Sequence, residues 1–201
     1  MIALLCAVFF GLIAYIAATC SAFVCAGIPP ADDGPPAGRA PQLFLIAGAA
    51  VLGAVMAYLK AEPLQLGVAA IVTFALVACW CSDAVCGIVP DVFTLGPLAA
   101  LLFFAAAQRD WWAIVSAVLI IVPFAAAAIF SRGYGMGWGD VKLVALSGAV
   151  LGAPLAAFAM AIACAVAVIV HRFGRARTAP IAFAPYIALL TGIALPLGLT
   201  H

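Results

Sequence analysis

Charge is what this chain has least of. Only 7% of its 201 residues are Asp, Glu, Lys or Arg, and the formal net charge is +1. The eight basic residues are scattered singly and form no positive face for a phosphate backbone, which excludes a nucleic-acid partner. Histidine is nearly missing as well. His171 belongs to a basic stretch and His201 is the last residue, so neither is a candidate for acid–base work. Seven cysteines are present, yet no CxxC pair occurs among Cys6, Cys20, Cys25, Cys79, Cys81, Cys86 and Cys164. Cys79, Cys81 and Cys86 lack the spacing and the fourth ligand of a tetrahedral zinc site. The cysteines read as small packing residues, and neither a metal nor a cofactor is expected. No polar stretch is long enough for a soluble domain, and there is no internal repeat.

What fills the chain instead is apolar. Hydrophobic residues make up 69% and mean hydropathy is +1.34, values of a polytopic membrane protein. A helix rising 1.5 Å per residue crosses roughly 30 Å of hydrocarbon in about 20 residues. Apolar runs of that order predict about eight spans, near Ile2 to Cys25, Leu43 to Leu59, Leu64 to Cys81, Val92 to Ala107, Trp111 to Phe130, Val141 to Leu151, Pro154 to Val170 and Pro180 to Leu199. The fold class is therefore all-α, a transmembrane helical bundle. The sixth run is short, and with the seventh it can form a bent hairpin broken at Gly152-Ala153-Pro154. The first lacks a preceding basic region and a cleavage site, and reads as a retained helix rather than a signal peptide. Between the first two runs, Ile28 to Arg39 is rich in Pro and Gly and reads as a loop. Two parts are expected: residues 1–63, with two N-terminal helices, and residues 64–201, a six-helix membrane domain.

Orientation follows from Lys and Arg, which cytoplasmic loops retain. With eight alternating spans, Arg39, Arg132, Lys142, Arg172, Arg175 and Arg177 fall on one side, Lys60 and Arg109 on the other. The first side is read as cytoplasmic. The basic stretch His171 to Arg177 reads as a topology determinant, and Trp111-Trp112 as an interfacial anchor.

The acidic residues then divide into two groups. Asp32, Asp33, Glu62 and Asp110 sit in loops and read as solvated surface charge. Asp83 and Asp140 each adjoin a long apolar run at its cytoplasmic end, where an ionisable group is costly and signals function. Two carboxylates in a partly dry site suit aspartyl proteolysis: held close, they share a proton, so one activates water while the other donates to the developing oxyanion. The glycines of Gly137-Trp138-Gly139-Asp140 would let backbone approach a substrate. The same residues are open to a plainer reading, a flexible turn with Asp140 as helix N-cap. Spacing alone does not bring Asp83 and Asp140 together. Asp91 competes with Asp83 for the role of first acid, Trp138 either lines a substrate groove or anchors its loop, and Lys142 either balances charge or marks topology.

Gly135-Met136-Gly137-Trp138-Gly139-Asp140-Val141-Lys142 resembles the GxGD signature of the type IV prepilin peptidase family. Asp83 to Thr94, with Asp83 seven residues before Pro90-Asp91, resembles that family's other signature, and Ile181 to Tyr186 is similar to the Pro-bearing start of its last helix. The resemblance implies that Asp83 and Asp140 are the catalytic pair, with Gly137, Trp138, Gly139, Lys142, Pro90 and Asp91 shaping the active-site loops. It implies cleavage of type IV prepilin or pseudopilin leaders at the cytoplasmic face of the bacterial inner membrane, among membrane lipids and without a cofactor.

Two departures stand out. No Arg or Lys lies between Asp83 and Pro90, where many family members carry one. The loop between the first two runs is short and free of Cys, whereas bifunctional members carry an insert with paired CxxC motifs there. Peptidase activity without N-methylation is therefore expected. A different class of protein also accommodates the two acids, a small transporter or channel component with Asp83 and Asp140 as a proton or ion relay.

Overall fold

The structure, a computed structural model, describes residues 1–26, 39–130, 137–173 and 183–199. Among the described residues eight helices follow one another: α1 (Ile2–Cys25), α2 (Arg39–Tyr58), α3 (Pro63–Cys86), α4 (Asp91–Ala107), α5 (Trp111–Phe130), α6 (Trp138–Leu151), α7 (Ala153–Phe173) and α8 (Ala184–Leu199). No strand occurs among the described residues. The protein is an all-α bundle of polytopic membrane type, as its composition predicts. By length and composition α1, α3, α5 and the 153–170 part of α7 suffice to cross a bilayer, while α4, α8 and the 42–58 part of α2 are apolar but shorter. Leu4, Phe103, Phe130 and Phe158 are exposed on the outer surface. Apolar side chains facing outward are what hydrocarbon surroundings require.

Burial singles out two helices. α3 has half of its most apolar stretch buried, against 22–28% for the other three long helices. In α6 every residue from Leu143 to Gly148 is buried, because α4, α5, α7 and α8 surround it. Small residues allow that crowding. A Cβ on Gly148 would lie 3.0 Å from the Ser116 carbonyl oxygen of α5, and one on Gly53 would lie 2.5 Å from the Cys6 carbonyl oxygen, where α2 meets α1. α1 also packs on α3, and α8 packs on both α3 and α6. α6 is thus an interior helix of 14 residues.

The helix ends differ from the sequence reading in informative ways. α3 begins at a capping box in which Glu62 and Gln65 satisfy each other's backbone N–H, with Pro63 in the first turn. The Gln65 Nε2 amide also donates to the Leu199 carbonyl, tying α3 to the end of α8. At its other end α3 runs on to Cys86, past the expected limit at Cys81. The polar Ser82 does not interrupt it, since its hydroxyl donates to the carbonyls of Ala78 and Cys79 one turn back. α6 starts at Trp138, three residues before the expected Val141, and is separated from α7 at Gly152, φ +74°, the expected break. The loop Ile28 to Gly38 with Asp32 and Asp33, and also Arg132, Gly135, Met136, Arg175, Arg177, Pro180, Ile181 and Ala182, lie outside the described residues.

Candidate active site

Asp83 occupies the last turn of α3. The helix closes at Gly87, which adopts the left-handed conformation (φ 63°, ψ 20°) and donates its N–H to the Asp83 carbonyl at 2.9 Å. A glycine suits this cap because other L-residues pay to enter that region. The chain then turns through Val89 to Pro90, the N-cap of α4, and Asp91 follows as the first helical residue. There its carboxylate faces the positive end of the helix dipole. Thr94 is fully buried one turn on, its hydroxyl directed at the Asp91 carbonyl at 3.4 Å.

The second half of the site is the start of α6. Gly137 is the N-cap, in extended conformation, so Asp140 is the third helical residue and not the cap itself. Its Oδ2 folds back over the first turn, 3.6 Å from where a Cβ on Gly137 would stand. Trp138 is more than half exposed and is free to contact lipid or a substrate.

These two halves meet. Asp83 and Asp140 lie within electrostatic reach of each other, and both act on the buried thiol of Cys79, one turn before Asp83. Both aspartates are partly buried, and Asp83 Oδ2 is a buried oxygen with no hydrogen-bond partner among the described residues. Leaving a carboxylate oxygen unpaired away from water costs stability, and in native proteins such an atom is uncommon. Gly139 packs directly on Val89: a Cβ at position 139 would lie 2.6 Å from the Val89 Cβ. Lys142 Nζ lies 2.5 Å from Asp91 Oδ1, joining α6 to α4. Thus all eight residues singled out in sequence sit on two adjoining segments, Asp83 to Asp91 and Gly137 to Lys142. The Lys142–Asp91 pairing was not anticipated, since no periodicity relates residues so far apart in the chain.

Cys25, Cys79, Cys81 and Cys86 are buried free thiols close to this end of α3, and all seven cysteines are unbridged. Cys79 directs its thiol at the Phe93 carbonyl of α4 at 3.8 Å, a packing contact consistent with the small-hydrophobe reading.

The fold is thus an all-helical membrane bundle that brings two acids together on adjoining segments. The sequence model of the type IV leader peptidase family matches residues 69–171, which span both segments, and the chain belongs to that family. Comparisons with curated proteins and with solved structures returned no match.

Proposed function

We propose that this protein is a membrane-embedded aspartic endopeptidase that removes the leader of type IV prepilin-like precursors, with Asp83 and Asp140 activating water. The observation that carries the reading is the unpartnered, buried Oδ2 of Asp83 within electrostatic reach of Asp140, in a chain of the leader peptidase family. A buried carboxylate oxygen with no donor among the described residues is uncommon and calls for a functional explanation.

In the resting pair one proton is shared, because two adjacent charges in a partly dry site are costly. The ionised carboxylate takes a proton from the water as its oxygen attacks the scissile carbonyl. The protonated carboxyl donates to the carbonyl oxygen, giving a neutral tetrahedral intermediate. The newly protonated carboxyl then gives its proton to the amide nitrogen while the other carboxylate takes one from a diol hydroxyl, so the C–N bond breaks, the carbonyl reforms as the leader's carboxyl group, and the dyad again holds one shared proton. Pairing of acids from different helices keeps Asp140 against the first turn of α6 while Asp83 Oδ2 has no donor among the described residues.

The site faces the cytoplasm in this proposal, on the side that collects six of the eight basic residues. The absence of Cys between α1 and α2 supports cleavage without N-methylation. The test is incubation of detergent-purified protein with a prepilin-like precursor bearing a short basic leader. Wild type cleaves after the leader, and Asp83→Asn and Asp140→Asn do not. Retained cleavage in either variant, or none in wild type, rejects the assignment, and an ion flux in proteoliposomes lost in both variants would favour a relay instead.

A further inference from the structure

The water-activating chemistry gives no part to the ion pair between Lys142 and Asp91, although it bridges the two segments that carry the acids. We propose that Lys142 and Asp91 are positioning residues that set the rotation of α6 against α4 and thereby aim Asp140 at Asp83. This inference rests on the dyad reading above.

The geometry of the first turn of α6 supplies the argument. At 100° per residue, Lys142 stands about 200° around the helix from Asp140, so the two side chains leave α6 on nearly opposite sides. Asp140 is the one within reach of α3, whereas Lys142 reaches the first residue of α4. A helix tied at one side cannot rotate to swing the other side away. α6 has need of such a tie at this end. Gly137 and Gly139 precede Asp140 and leave the turn short of side chains that could fix it, and the nearness of the carboxylate to Gly137 relates it only to α6 itself. The contact of Gly139 with Val89 brings the segments together, but a glycine surface sets distance and not rotation.

The chemistry of the pair points the same way. Among the described residues the other acids are Glu62 before α3 and Asp110 before α5, both a helix length away, and the dyad itself. Among the described residues, Asp83 and Asp140 are the other acids at this end of the bundle, so without Asp91 the long, flexible Lys142 side chain would have them as its nearest described partners. A cation there would favour ionisation of both acids and deprive the site of its shared proton. Asp91 is 62% exposed and Lys142 26%, so the pair adds little to stability and its loss leaves the protein folded.

A carbodiimide tests contact directly. It joins a carboxylate to an amine only where the two touch, forming the amide while the reagent takes up the water lost. Treatment of wild-type protein in detergent is expected to yield a peptide linking Asp91 to Lys142, seen by mass spectrometry; its absence, or linkage of Lys142 to Asp83 or Asp140, overturns the inference whatever the protein cleaves. For cleavage, Asp91→Asn and Lys142→Gln are each expected to lower kcat by about tenfold to a hundredfold with KM little changed, the scale for a misaimed catalytic group. The exchanged pair Asp91→Lys with Lys142→Asp recovers part of that loss, and melting temperatures stay near wild type. Unchanged kcat in the single variants, or no recovery on exchange, rejects the positioning role. A cross-link in a wild type that cleaves no precursor would instead reject the peptidase reading, and with it the purpose assigned to the pair.

Discussion

Gly139 lies so close to Val89 that no side chain fits between them: a Cβ on residue 139 would stand 2.6 Å from the Val89 Cβ and 3.3 Å and 3.4 Å from its methyl carbons. The obstacle is a branched side chain anchored one atom from the backbone, so it cannot swing aside. Gly139→Ala is expected to push α6 away from the Asp83 segment and cut the rate of precursor cleavage by about a hundredfold, since displacement of about 1 Å is enough for that. Val89→Gly in the same chain removes the clashing atoms and should return part of the rate. A Gly139→Ala protein that cleaves like wild type would show that this contact does not govern the site.

The two aspartates should fail together. When both members of a dyad serve one proton transfer, removing the second costs little once the first is gone. Asp83→Asn, Asp140→Asn and the double variant are expected to share one residual rate, within experimental scatter. Asp83→Asn should also leave the melting temperature in detergent no lower than wild type, because it removes a charge from a carboxyl group whose buried oxygen has no partner among the described residues. A lower melting temperature would mean that the carboxylate is satisfied and structural.

Much of this arrangement is legible from local sequence, and the remainder is not for identifiable reasons. The limits of α1 and α5 coincide with those of the apolar runs, since hydrocarbon thickness sets their length. The end of α3 was expected early at Cys81 because Ser82 and Asp83 look like a polar boundary; Ser82 instead bonds back to its own helix, and Gly87 ends it. The start of α6 at Trp138 was missed for the converse reason, as glycines ordinarily argue against a helix. Asp83 and Asp140 stand out as candidates by their cost in an apolar chain, and the preference for Asp83 over Asp91 rests on the family resemblance. The joining of Lys142 to Asp91 is a tertiary fact, written in no spacing.

The Gly87 cap can be tested apart from packing. At φ 63° a side chain is strained, yet a Cβ there would meet nothing within 4 Å. Gly87→Ala should therefore destabilise through backbone conformation alone, by about 1 kcal/mol, measured by unfolding in mixed micelles. Because this cap receives the Asp83 carbonyl, a matching fall in kcat is expected, and Gly87→Asn, whose side chain tolerates the left-handed region, should be milder in both respects. Equal effects of Ala and Asn would point to a role other than the cap.

Ser147 of α6 and Thr191 of α8 share a buried hydrogen bond of 2.8 Å, and its direction follows from proton counting. The Ser147 hydroxyl has one proton and donates it to the Leu143 carbonyl at 3.0 Å, so Thr191 must be the donor and Ser147 the acceptor between the helices. The consequence is an asymmetry. Thr191→Val removes the donor and leaves Ser147 still bonded, at a cost of about 0.6 kcal/mol, the usual size of such a bond between membrane helices. Ser147→Ala strands the Thr191 hydroxyl in a fully buried position and should cost more, about 1–2 kcal/mol. Unfolding of the two variants in mixed micelles measures the difference. If Thr191→Val proved the more damaging, Ser147 would be the donor across the interface and its bond to Leu143 secondary.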